Sequence, residues 1–349
     1  TKAKCHMENT MIVEINDLVS QWGISSNSAG IHQEAYVWDN TLPWSKEEKP
    51  EIRDKHLSRM KEAGHDVLSL TLGGDRTSLS EAIHKIARER DYFRSNGEKF
   101  VLVESVADIK RSKQENKLAI VFHFQGTNPI ESNVQMVEVY YRLGIRHMLM
   151  AYNLRNPIGD GCKERMDSGL SHLGISLVQE MNRVGMVVDC SHTGYNTTMD
   201  VMDVSTAPVV FSHSNPKALN DHPRNILDDQ IKKCAGTGGV VGVNGVGLFL
   251  GKNDSSTENQ IRHVDYLVQM IGADHVGFGN DHVYAPEETS PSAWNPPAPG
   301  DVPWSEISYT QPEQMPKFTE GLLKKGYSDS DVSNILGGNW LRIAGQVWK

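Results

Sequence analysis

Two short apolar runs each end in a histidine, one structural unit apart. Met186-Val187-Val188-Asp189-Cys190-Ser191-His192 is followed, after a single helix-length interval, by Ala207-Pro208-Val209-Val210-Phe211-Ser212-His213-Ser214-Asn215. Continuous apolar runs of this length are the pattern of strands buried on both faces, as in parallel sheets. Strand, helix and strand in that order make a parallel βαβ unit. Both imidazoles then emerge at the same rim, at the C-terminal ends of neighbouring strands.

The rest of the chain repeats that rhythm. Strands are expected at residues 35–38, 66–72, 118–124 and 146–151, then in the two runs above, then at 239–244 and 275–280. Helices are expected at 51–63, 78–94, 131–143, 173–184 and 256–271, with two or three more in 312–347. Strand and helix thus alternate eight times, which fits either a closed (β/α)8 TIM barrel or a doubly wound open sheet. The barrel is favoured because polar, ionisable residues end at least six different strands, where barrel active sites are assembled; in an open sheet they would gather at one switch point. Residues 1–33 read as a tail with a short helix at 12–20. Residues 34–349 read as a single barrel domain with extra C-terminal helices, and 286–311 as an irregular, proline- and serine-rich loop.

Bulk composition narrows the partners. The net charge of −9 over 349 residues argues against a nucleic-acid surface. No run approaches the ~20 apolar residues that span a bilayer, and residues 1–9 carry no apolar stretch of signal-peptide type. Cys5, Cys162, Cys190 and Cys234 are scattered, with no CxxC pair. A reduced, cytoplasmic protein without a disulfide framework is expected.

Alternation along strands then places side chains. His192 is expected to share a face with Val188 and Cys190, His213 with Val209 and Phe211, and Tyr152 with Met148 and Met150. Val121, His123 and Gln125 share another face, as do Val37, Asp39 and Thr41. The rim would hold Asp39, His123, Gln125, Tyr152, His192, His213 and Asp281. Imidazoles and carboxylates so gathered suit zinc or a similar divalent ion; the bland alternative is a polar network capping the barrel mouth. Arg224, just after the sixth strand, could fork onto a carboxylate or pair on the surface with Asp228. Gly73-Gly74 and Gly337-Gly338 lack phosphate-loop spacing, and there is no GxSxG elbow.

Several stretches together resemble the renal (membrane) dipeptidase family of zinc peptidases over nearly the whole chain. They are Asn40-Thr41-Leu42-Pro43-Trp44, Val188-Asp189-Cys190-Ser191-His192, Phe211-Ser212-His213-Ser214, Arg224-Asn225-Ile226-Leu227-Asp228-Asp229, Gly277-Phe278-Gly279-Asn280-Asp281 and Gly338-Asn339-Trp340-Leu341-Arg342. The resemblance implies a metal-dependent, amidohydrolase-like barrel, a homodimer, that cleaves dipeptides with two zinc ions. It places the second metal position on His192 and His213, the metal-touching proton acceptor on Asp281, and the substrate-carboxylate clamp on Arg224. Where the family has His-x-Asp on strand one, this chain has Asp39-Asn40-Thr41. Its bridging glutamate is replaced by Gln125, and its histidine after strand four by Tyr152.

These departures set the expectation for the site. Two dications a few ångströms apart need a bridging anion, and Gln125 is neutral. One divalent metal, zinc by ligand type, is therefore expected, near His192 and His213. Catalytic zinc takes three protein ligands, and His123, on the face of Gln125, is the candidate third, with Asp281 or Asp39 close by. Asp281 would move the proton, Tyr152 would donate to a developing oxyanion, and Arg224, Tyr152 and Asn153 would meet the substrate. The expected reaction is hydrolysis of an amide-like C–N bond in a small carboxylate-bearing molecule. A mononuclear lyase or dehydratase, an isomerase, a deaminase and a non-catalytic binding protein are the alternatives.

Overall fold

The computed structural model describes residues 15–44, 50–284 and 302–349. The first part of the N-terminal tail, and most of the loop expected at 286–311, lie outside these. The strands are β1 (Trp38–Pro43), β2 (Val67–Gly74), β3 (Phe100–Leu102), β4 (Leu118–Gln125), β5 (Ile145–Leu149), β6 (Val187–Asp189), β7 (Val209–Val210), β8 (Val241–Val243) and β9 (Val276–Phe278). All ladders are parallel, in the order β1-β2-β4-β5-β6-β7, with β8 paired to β9.

Two seams close the ring. Phe211, just past β7, bridges to Val241 of β8. Beyond β9, the Asp281 N–H donates to Thr41 O at 3.0 Å and the Asn280 N–H to Asp39 Oδ1 at 2.9 Å. The fold is the (β/α)8 barrel, with helices Met315–Lys324, Asp329–Ser333 and Asn339–Val347 added at the C-terminus.

The sequence missed β3, which pairs with the first half of β4 along the edge that β5 takes from Phe122 onward. It also placed the first strand too early. Pro43, which rules out a helix in that segment, occupies the last position of β1. Proline is tolerated at a strand end because the lost N–H interrupts no central ladder. The long helix falls where expected, at Leu79–Ser95, started by a capping box in which Ser78 and Glu81 exchange hydrogen bonds.

Two apolar layers hold the barrel. The outer one joins strand residues such as Leu68, Ile120, Val188 and Val209 to helix residues such as Ile86, Leu177 and Met181. The inner one fills the barrel floor with Trp38, Val67, Val121, Val187 and Val210, against Trp340, Ile343 and Val347 of the last helix. Trp340 fits because Gly242 and Gly277 lie under its ring: a Cβ at either would come to 2.9 or 2.8 Å from it. With the floor plugged, the open end is the C-terminal rim. No helix among the described residues is long and apolar enough to cross a membrane.

A candidate metal centre at the barrel rim

The expected inward faces of three strands are the wrong ones. Val188 and Cys190, Val209 and Phe211, and Met148 and Met150 all pack in the outer layer against helices. Asp189 and Val210 point the other way, and Val210 joins the floor. The histidines still reach the mouth because β6 stops at Asp189 and β7 at Val210, so pleating ends before either is reached. His192 then takes a left-handed φ of 64°, and Asp281 one of 54°. Non-glycine residues rarely adopt that conformation, and it re-aims the side chain.

Those turns bring His192, His213 and Asp281 together: one ligand atom from each lies within 4.8 Å of the others. The two Nε2 atoms stand 2.9 Å apart. Each ring's Nδ1 is already committed. His192 Nδ1–H donates to Asn153 Oδ1 at 2.8 Å. His213 Nδ1 lies 2.6 Å from Ser212 Oγ and 3.0 Å from Thr41 Oγ1. The Ser212 hydroxyl donates to Asp189, and that of Thr41 to Asn40 O, so both oxygens accept from the ring. Burial, with Arg224 as the next contributor, holds both imidazoles well below their ordinary pKa. Two neutral rings with protonated Nδ1 therefore turn two lone pairs towards each other. That arrangement is repulsive unless a cation lies between them, and a carboxylate completes the set. The donors fit one divalent metal of the zinc type.

Burial raises the Asp281 carboxyl to about 6, while Arg224 and the Asn244 amide, 3.2 Å from Oδ2, pull it back. Arg224 is 3% exposed. Its Nη2 donates to His213 O at 3.1 Å, its guanidinium sits 5.1 Å from the Phe249 ring centre, and Nε and Nη1 have no partner. Buried guanidinium nitrogens left this way suit an incoming carboxylate. Tyr152 stacks on His192 at 4.0 Å, and burial lifts its phenol to about 12.

His123 does not join the group, which corrects the three-histidine expectation. Its Nε2 is paired with Thr71 Oγ1 at 2.9 Å, and its ring packs edge-on against His147 at 4.2 Å. Among the described residues, the group placed to hold a metal is His192, His213 and Asp281. Asp39 stays outside as well, with Oδ1 tied to the N–H groups of Asn280 and Thr41 and Oδ2 unpartnered. Gln125 lines the mouth and donates to Thr71 Oγ1 at 3.0 Å. Asn153, expected at the substrate, fixes the tautomer of His192. Ser212 and Asp189 were not singled out from the sequence, although both stand inside the two opening motifs.

The mouth is a cavity of about 720 Å³ that takes in Gln125, Tyr152, Asn153, His192, Arg224 and Asp281. That is the size of a small-molecule site.

Comparison with known proteins agrees with this geometry. The membrane dipeptidase profile (peptidase family M19) matches residues 40–291. An uncharacterized protein in the pqqA 5' region of Klebsiella pneumoniae is 31% identical, over 70% of this chain and 88% of its own length. An uncharacterized dipeptidase of Schizosaccharomyces pombe is 34% identical over 68% of this chain; the chain spans 54% of that relative. The crystal structure of an amidohydrolase from Pseudomonas aeruginosa superposes with a TM-score of 0.82 at 31% identity, covering 92% of this chain and 99% of that one. On the matched stretch, the relatives and the shared barrel, the chain belongs to the membrane dipeptidase family, the metal-dependent C–N hydrolases of peptidase family M19.

Proposed function

We propose that the chain hydrolyses an amide C–N bond in a small carboxylate-bearing substrate, using one divalent metal held by His192, His213 and Asp281. The observation that carries this is the pair of facing Nε2 lone pairs with both Nδ1 atoms already donating. A second metal position finds little support: its side would consist of Asp39, Thr41 and Gln125, with a single carboxylate already engaged by two backbone N–H groups. Zinc is favoured by two imidazoles and a carboxylate. The free thiols Cys162, Cys190 and Cys234 favour a reducing, cytoplasmic setting. The catalytic unit is residues 34–349, working as a homodimer as in the family it resembles.

A divalent cation in this position supplies Lewis acidity towards a carbonyl oxygen and towards water. Arg224 orients the substrate by its carboxylate through its unpartnered nitrogens, Nε and Nη1. Asp281 takes a proton from the attacking water and returns it to the leaving nitrogen. Tyr152 stays a phenol and donates a hydrogen bond to the oxygen on which charge develops.

Elemental analysis of the purified protein, paired with an amide-hydrolysis assay, tests the proposal. One tightly held equivalent of metal, lost in His213→Ala together with turnover, is the expected result. Two equivalents of metal would overturn it, as would turnover that survives loss of the metal.

A further inference from the structure

We infer that Asp189 is a positioning residue for the metal: through the Ser212 hydroxyl it keeps the proton of His213 on Nδ1 and so leaves Nε2 as the ligand atom. This rests on the metal site proposed above and names the group that holds one of its two imidazoles in the binding form.

The surroundings of Asp189 form a relay. The residue ends β6 and is fully buried, where a carboxylate is kept only with its hydrogen bonds made. Its Oδ1 accepts the N–H of Ser191 at 2.9 Å and that of Ser212 at 3.0 Å, which ties the turn after β6 to the turn after β7. Its Oδ2 accepts the Ser212 hydroxyl. Ser212 Oγ in turn lies 2.6 Å from His213 Nδ1. Carboxylate, hydroxyl and imidazole thus stand in series, with the metal group at the far end.

The carboxylate is needed because a hydroxyl has no fixed sense. Serine donates or accepts as its neighbours require. Ser191 Oγ, 3.2 Å from Ser212 Oγ, is a second partner for the Ser212 proton, but a charged acceptor outcompetes a neutral one. With that proton on Asp189, the Ser212 oxygen can only accept from Nδ1–H. Thr41 Oγ1 accepts from the same nitrogen at a longer 3.0 Å, its own proton being on the Asn40 carbonyl. A ligating histidine whose other N–H is held in this way is oriented and made more basic. Asn153 does this directly for His192; Asp189 does it for His213 through one intervening oxygen.

Asp189→Asn separates the relay from the tie between the turns. Two backbone N–H groups can only donate, so the new amide oxygen stays with them and the amide nitrogen faces Ser212. That nitrogen donates to Oγ, the hydroxyl turns to donate to His213 Nδ1, and the ring proton moves to Nε2. Nε2–H then donates to His192 Nε2, 2.9 Å away, and competes with the metal for that lone pair. Removing Ser212 as well deletes the reversed donor, and Nδ1–H returns to Thr41.

The test measures zinc affinity by chelator competition and reads the His213 tautomer from nitrogen NMR shifts of metal-stripped protein with labelled histidine. The spectra are taken at about pH 8, above the ordinary histidine pKa. Wild type and Ser212→Ala should carry the proton on Nδ1, and Asp189→Asn on Nε2. Affinity should fall about 10–100-fold in Asp189→Asn and less than about tenfold in Ser212→Ala, which keeps Thr41 as acceptor. The double variant should bind zinc as well as Ser212→Ala alone. A packing defect would neither move the ring proton nor be repaired by a second substitution. Nε2 protonated in the wild type would overturn the inference, and this needs no variant to fold. So would Nδ1 still protonated in Asp189→Asn, or a double variant weaker than both single ones. Zinc affinity unchanged in His213→Ala would sink the metal reading alone, and the spectra would still decide the relay.

Discussion

His192 Nε2 and His213 Nε2 stand 2.9 Å apart, on two imidazoles whose other nitrogens already donate to oxygen. A metal that relieves this contact binds only the folded state and must stabilise it. At a free zinc concentration of 100 times Kd the gain is about 2.7 kcal/mol. The melting temperature of the metal-stripped wild type should rise on adding zinc, and that of His192→Ala should not. A zinc-dependent rise retained in His192→Ala would place the metal elsewhere.

Asn153 governs the site without touching the cation. Its Oδ1 fixes the His192 tautomer. Asn153→Ala removes that acceptor, and loss of such a partner costs about 10–100-fold in metal affinity. Competition against a chelator measures it. Asn153→Asp, which restores an acceptor oxygen, should recover most of the loss; equal weakening by both variants would mean that the amide does something else.

Asp39 should make the protein less stable as pH rises. Burial lifts its carboxyl from 3.8 to about 7, with Asp281 adding to the rise and the Asn280 and Thr41 N–H groups opposing it. Between these values the folded state holds a proton that the unfolded state has released. The stabilisation is therefore complete below pH ~4 and is lost on the way to pH ~7, at up to about 1.4 kcal/mol per pH unit. Asp39→Asn keeps an oxygen for the two N–H groups and cannot ionise. Its stability relative to wild type should climb across this window in urea titrations; a constant difference would contradict the assigned burial.

The buried histidines act in the opposite direction. His32 and His282 are lowered to about 3, and His65 and His147 to about 4, burial being the leading cause in each. A depressed histidine binds fewer protons folded than unfolded, so its stabilisation is present above pH 6.5 and lost as pH falls towards the folded value. At pH 5.5 each costs about 1.4 kcal/mol, and the four together about 5.6. That is comparable to the whole stability of a typical domain. Thermal melts should fall steeply between pH 7 and 5, and a flat profile there would be inconsistent with these burials.

Trp340 holds the floor. It is 3% exposed, donates Nε1–H to Phe278 O at 3.1 Å, and lies over Gly242 and Gly277. Trp340→Ala should cost about 3–5 kcal/mol in urea unfolding, as large-to-small changes in packed cores do. A loss under 1 kcal/mol would show that the last helix is not essential to the barrel.

The sequence determined the architecture and the location of the chemistry. Apolar runs alternating with helical stretches left a parallel barrel or an open sheet, the polar ends of at least six strands favoured the barrel, and His192, His213 and Asp281 had to reach one rim because all three follow the ends of strands. The loss of a bridging anion at Gln125 was equally plain. Tertiary structure alone decided how the rim is wired. Side-chain alternation holds only along a hydrogen-bonded strand, and β6 and β7 end before their histidines, so facing had to come from a left-handed turn at His192 and from bonds to Asn153, Thr41 and Ser212. His123 was drawn to Thr71 and His147 for the same reason: the nearest partner in space belongs to another strand, and a one-dimensional pattern carries no distance across the barrel.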